Sequence, residues 1–126
     1  MTTGLGIIEA TWASFEGFRK LGFPADDIYV IPDGGPKGRN VFVQVRQQGR
    51  EFNFHVGFRG DLSGDQFAEK WRRYAAEVNA GKVSDDELER NYAKWLSQLD
   101  MPGLMLALGR KGFSIPVGGV NARATN

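Results

Sequence analysis

Asn40-Val41-Phe42-Val43-Gln44-Val45-Arg46-Gln47, then Gln48-Gly49, then Arg50-Glu51-Phe52-Asn53-Phe54-His55-Val56-Gly57-Phe58 is the stretch that settles the architecture. Both arms alternate apolar and polar residues, the period of a strand with one buried face. A tight turn at Gln48-Gly49 sets Gln47 opposite Arg50, and the pleat fixes the rest. Val45 then meets Phe52, Val43 meets Phe54 and Val41 meets Val56 on one wholly apolar face. The other face pairs Arg46 with Glu51, Gln44 with Asn53 and Phe42 with His55. A slip of one residue would turn Val43 and Phe54 to solvent, so the register is well specified. Gln48 is the weak point, because glutamine is not favoured at positive φ; a four-residue loop gives the same pairing.

Upstream, Ile8, Trp12, Phe15 and Phe18 follow helical spacing, widened by Ile7, Thr11 and Leu21, and predict a helix over residues 6–21. Gly22, Phe23 and Pro24 mark its end: a left-handed C′ residue, an apolar residue to fold back, and a proline that forbids continuation. Ile28-Tyr29-Val30-Ile31 reads as a short strand, and Pro32 to Arg39 as a loop. Downstream, two helices share one grammar. Ser63 caps and Gln66 closes a capping box in the first, as Ser84 and Glu87 do in the second. Gly81 ends the first of them, and the short link to the second predicts an antiparallel helical hairpin. Their apolar positions match at a constant offset, which ordinary helix grammar explains without an internal repeat. Asp100 caps a last short helix with Pro102 in its first turn; it is apolar nearly all round, hence expected to be buried, and to stop at Gly109. Residues 113–117 are a candidate edge strand, and residues 118–126 are expected to form a frayed tail.

The expected fold is therefore one α+β domain over residues 1–117. It is a two-layer sandwich with a three- or four-stranded antiparallel sheet packed on helices, in the order α-β-β-β-α-α-α with an optional final strand. A chain of 126 residues supports one such core without staples. The absence of cysteine excludes disulfides, thiolate zinc sites, iron–sulfur clusters and cysteine nucleophiles, and fits the cytoplasm as the expected compartment. The start, Met1-Thr2-Thr3-Gly4-Leu5-Gly6-Ile7-Ile8, reads as free of a signal peptide, lipidation motif or membrane span. A net charge of +1 argues against bulk electrostatic binding to nucleic acid or anionic lipid.

Candidate chemistry is sparse. His55, the only histidine, lies on the polar face of the hairpin with no nucleophile or carboxylate at contact spacing; Glu51 is about 13 Å away along the strand. Asp26, Asp27 and Asp33 read as turn residues and not as a cation site. Gly34-Gly35-Pro36-Lys37-Gly38-Arg39 lacks the phosphate-loop pattern and leads into a strand. The acidic run at Asp85, Asp86, Glu87 and Glu89 complements a helix N-terminus, Lys70, Arg72 and Arg73 form a solvated face, and the tryptophans fall on core stripes. No catalytic residue, metal set or cofactor fingerprint is expected.

The order α-β-β-β-α over about residues 6–80 resembles the double-stranded-RNA-binding domain. Gly35-Pro36-Lys37-Gly38 stands where that family carries its Gly-Pro minor-groove loop. The resemblance implies a shared topology. It departs at the second helix, where the family's phosphate-spanning lysines are replaced by Ser63-Gly64-Asp65-Gln66, removing the main electrostatic attraction for a duplex.

Three functions remain open. The first is a non-enzymatic interaction or regulatory domain with a protein partner or a second copy of itself, acting through the exposed sheet face at Tyr29, Phe42, Gln44, Arg46 and His55. The second is a nucleic-acid-binding module using Lys37, Arg39, Arg46 and Arg50, with Arg110 and Lys111 as further contributors. The third is a small-ligand-binding protein or enzyme with a pocket between sheet and helices, walled by Trp12, Tyr74, Tyr92 and Trp95.

Overall fold

Val43 and Val45, fully buried, sit at the centre of a three-stranded antiparallel sheet in the order β1-β2-β3. A computed structural model describes residues 5–33, 40–56 and 62–116. The strands are β1 (Ile28–Pro32), β2 (Val41–Gln47) and β3 (Arg50–His55), and the helices α1 (Ile7–Lys20), α2 (Gly64–Asn79), α3 (Asp85–Ser97) and α4 (Met101–Arg110). The hairpin register is the expected one, from Gln47↔Arg50 to Phe42↔His55. Gln48 and Gly49 both take positive φ, 49° and 80°, so the two-residue primed turn forms despite the unfavoured glutamine. β1 adds to the other side of β2 with Ile28↔Val45, Val30↔Val43 and Pro32↔Val41. One face of the sheet is thereby a continuous apolar surface.

That face, with Phe52 and Phe54, meets Phe18 and Phe23 from α1 and its exit, Phe67 from α2, and Leu104, Leu108 and Phe113 from α4 and its exit. Two helix ends place aromatics in the same way. Phe23 N–H donates to Phe18 O and Phe113 N–H to Leu108 O, the six-to-one bond of a Schellman cap, with Gly22 and Gly112 in the left-handed position. The two phenylalanines so delivered meet edge to face at 6.1 Å. Both ring bodies are buried, and burying one stabilises the fold by about 1.5–3 kcal/mol.

α1 is the central helix. Its buried residues are Thr11, Ala13, Ser14, Gly17 and Phe18, so the face packed most tightly is largely small. Thr11 and Ser14 satisfy their hydroxyls on Ile7 O and Ala10 O one turn back, at 2.7 and 2.9 Å. A Cβ at Gly17 would lie 2.8 Å from two ring carbons of Trp95, so the glycine is what lets the α3 indole lie against α1.

Four expectations need correction. α2 and α3 are not each other's main packing partners; α3 lies along α1, while α2 approaches α1 and β1 and meets α3 through Tyr74 beside Asn91. Gly17 of α1 offers Trp95 a closer seat than α2 does. α4 runs through Gly109 to Arg110, and Gly112 is its C′ residue. An apolar residue follows Gly112 and a charged one follows Gly109, so only the later glycine yields a cap with a buried C″ contact. α4 is also not buried all round: Leu104 and Leu108 are, but Leu106 is 56% exposed. Finally, residues 113–116 form no strand. Phe113 and Ile115 pack on the core, and Ser114 bonds both its backbone groups to the Gln47 side chain at 2.8 Å in place of a neighbouring strand. Val117 and the tail 118–126 lie outside the described residues, as do the loop 34–39 and residues 57–61.

Candidate functional site

Among the described residues no helix lies on the second face of the sheet. Its side chains form a grid fixed by the two registers: Arg46 beside Glu51; Tyr29, Gln44 and Asn53 in one row; Ile31, Phe42 and His55 in the next; Asp33 and Asn40 in the last. The last row continues the ladder, because Asp33 N–H donates to Asn40 O at 2.7 Å.

Gln44, in the middle of this grid, is only 6% exposed. Its neighbours cover it and use both ends of its amide. Gln44 Nε2 donates to Asn53 Oδ1 at 2.8 Å, and Arg46 Nε donates to Gln44 Oε1 at 2.6 Å. The Arg46 guanidinium lies 4.0 Å above the Tyr29 ring, within cation–π range, and Arg46 Nε is 3.9 Å from Glu51. The next row is aromatic: Phe42 and His55 are 5.5 Å apart between centroids. His55 Nε2 meets Asn40 Oδ1 at 3.3 Å, and Asn40 Nδ2 donates to Asp33 Oδ2 at 3.3 Å. All five residues expected on this face, Tyr29, Phe42, Gln44, Arg46 and His55, therefore stand together, with Tyr29 37% exposed at one edge. Sequence reasoning missed Asp33, Asn40 and the buried state of Gln44. Each depends on which residue of β1 stands opposite β2, and a strand of four apolar residues does not specify that.

The basic residues proposed for nucleic acid divide: Arg46 stands on the open face, while Arg50, Arg110 and Lys111 meet at the C-terminal end of α4. Arg46 and Arg50 point to opposite faces of the sheet by the period of two. Arg50 packs its guanidinium end against Gly112 at the C-terminus of α4, where a cation complements the helix dipole. Arg110 and Lys111 lie at that same helix end. Lys37 and Arg39 are outside the described residues.

The proposed pocket walls divide into two groups. Trp12 and Tyr74 are in contact at 5.8 Å and join Phe15 and Trp71 on one side of α1. Tyr92 and Trp95, 5.8 Å apart, lie where α3 crosses Gly17. A groove of about 330 Å³ runs outside the core between α1 and α3, lined by Glu16, Lys20, Asp85, Leu88, Glu89 and Tyr92. Of the four expected walls only Tyr92 borders it, and Lys20 already occupies the ring face at 5.1 Å while pairing with Glu89 at 3.7 Å. Burial, then the carboxylates of Glu89 and Glu16, push the Tyr92 phenol above its ordinary value. Burial does the same at Tyr74, helped by Glu9, Glu87 and Glu77. The Asn91 side chain beside the Tyr74 hydroxyl opposes that rise, and Trp12 Nε1 is buried without a hydrogen-bond partner among the described residues.

Among the described residues no three His, Cys, Asp or Glu side chains converge as a metal site, and no helix is long and apolar enough to cross a membrane. Comparison with protein-family models, with curated proteins and with solved structures returns no match.

Proposed function

We propose that this domain works without catalysis, in the cytoplasm, by protein contact through the open face of its sheet, and that a second copy of the chain is the occupant. The observation that carries the reading is Gln44: a glutamine on a sheet face that no described helix covers, 6% exposed and hydrogen-bonded at both ends by its neighbours. A face held this way is rigid before it meets anything, so association loses little side-chain entropy. It presents Tyr, Phe, His and Arg, and Tyr, Phe and Arg are types enriched at contact surfaces.

Self-complementarity favours a second copy. The face carries Arg46 near one end and the carboxylates of Glu51 and Asp33, and an antiparallel apposition about a twofold axis can set the cation of one copy against a carboxylate of the other. A chain charge of +1 adds little repulsion between copies. The size of the face sets the strength. Three strands about 4.8 Å apart and about seven residues long give a footprint of roughly 300 Å². A standard interface takes about 800 Å² from each partner, so this one is transient, dissociating in the micromolar range or more weakly.

A dilution series followed by amide ¹H–¹⁵N spectra tests the reading. Concentration-dependent shifts confined to β1 and β3 and to the open-face residues of β2 support it. Shifts centred on α3 and α4, or a spectrum that does not change with concentration, overturn it.

A further inference from the structure

We propose that Asp33 and Asn40 hold His55 in a single tautomer, so that its Nδ1 is the hydrogen-bond acceptor through which the open face takes a donor from the second copy. The first half follows from the polarity of a chain of three side chains. Asp33 is a carboxylate and only accepts, so Asn40 turns its nitrogen to Asp33 Oδ2, at 3.3 Å. The amide oxygen of Asn40 then faces His55 Nε2, also at 3.3 Å, and an oxygen there requires a proton on Nε2. In the neutral ring the lone pair is left on Nδ1. Asn40 is itself fixed, because its backbone oxygen accepts from Asp33 N–H at 2.7 Å directly across the ladder. The His55 ring is fixed by Phe42 beneath it at 5.5 Å.

The second half concerns what Nδ1 is for. His55 is exposed, and among the described residues Nδ1 has no partner. The same polarity argument applied to the neighbouring row gives the matching donors. Gln44 presents its nitrogen to Asn53, so Asn53 uses its oxygen inward and leaves both N–H groups of its amide outward. Arg46 spends Nε on Gln44 and keeps its terminal N–H groups. The face thus displays an acceptor at His55 and donors at Asn53 and Arg46, so two copies related by a twofold axis satisfy one another. This assignment rests on the face being the contact surface. It names the chemistry of that contact: a neutral imidazole acceptor against an amide or guanidinium donor.

Two measurements test it separately from the reading beneath it. The chain has one histidine, so long-range ¹H–¹⁵N correlations of the side chain report His55 alone. In dilute protein at alkaline pH, the wild type is expected to show one tautomer with the proton on Nε2, and Asn40→Ala a mixture of two. A mixture in the wild type overturns the relay and leaves the face as a contact surface. His55→Phe keeps a ring on Phe42 and deletes both nitrogens. It is expected to raise the self-dissociation constant between about tenfold and about a hundredfold, because the twofold axis makes the contact twice and each hydrogen bond is worth up to about tenfold. An unchanged constant overturns the acceptor role. Absence of self-association in the wild type at every concentration removes the reading and this inference together.

Discussion

Replacing Gly17 by alanine sets two known quantities against each other. Alanine in a helix interior is more stable than glycine by about 1 kcal/mol, and α1 is regular on both sides of position 17. Against this, the new Cβ would lie 2.8 Å from Cη2 and Cζ3 of Trp95, well inside ordinary carbon contact. Trp95 has little room to give way: it is 7% exposed and held edge to face on Phe54 at 6.2 Å and against Tyr92 at 5.8 Å. Inserting a methyl group into such packing costs about 1–3 kcal/mol. Taking about 2 kcal/mol for the clash, Gly17→Ala is expected to destabilise the fold by about 1 kcal/mol, or about 4 °C in Tm. Urea unfolding followed by far-ultraviolet circular dichroism reads this directly. The control is the same substitution in a Trp95→Leu background, where the clash is gone and the helix preference alone remains, so alanine is expected to stabilise. If Gly17→Ala raises the urea midpoint in the wild-type background, α3 is not seated on α1 as described.

The turn and caps give further predictions. Gln48 holds φ 49° in a primed turn that prefers asparagine, so Gln48→Asn is expected to stabilise by about 0.5–1 kcal/mol, and a lower urea midpoint would refute the turn type. Ser63 is nearly buried and its backbone and hydroxyl both take part in the box with Gln66, whereas Ser84 is exposed and accepts one bond; Ser63→Ala is expected to cost about 1–2 kcal/mol and Ser84→Ala less, by the same assay. The Tyr74 and Tyr92 phenols lie above their ordinary value, so the folded state holds their protons more tightly than the unfolded chain. Their contribution is complete below about pH 10 and is lost as pH rises through the folded values, so alkaline unfolding is expected to shift to higher pH in Tyr74→Phe/Tyr92→Phe.

The hairpin was legible because three signals agreed on it: alternation in both arms, a glycine in the turn, and charge and amide pairs that meet only in one register. The caps at Ser63, Ser84 and Asp100 were legible because capping is local, but the box expected at Ser84 is only half formed: Ser84 accepts from Glu87 N–H and the Glu87 side chain returns no bond. What failed was tertiary. Helix pairing was read from a short link, but the seat for α3 is made at Gly17, a residue whose smallness carries no hydrophobic signal. The end of α4 was read from the first glycine met, when the residue after the glycine decides which one caps. The open face was read as a mixed patch from one hairpin. Its central row and the relay at Asp33 and Asn40 needed the β1 register, which four apolar residues in a row leave undetermined.

The central claim is that the open sheet face brings two copies of the chain together. Sedimentation velocity over a wide concentration range tests it most directly, comparing the wild type with Tyr29→Ala/Phe42→Ala. Both side chains lie on the open face and outside the main core, so the double variant is expected to fold as the wild type does by circular dichroism. The wild-type sedimentation coefficient is expected to rise with concentration toward that of a dimer, and the double variant to stay monomeric throughout. A wild type that remains monomeric at the highest concentration, or a double variant that associates equally well, would contradict it.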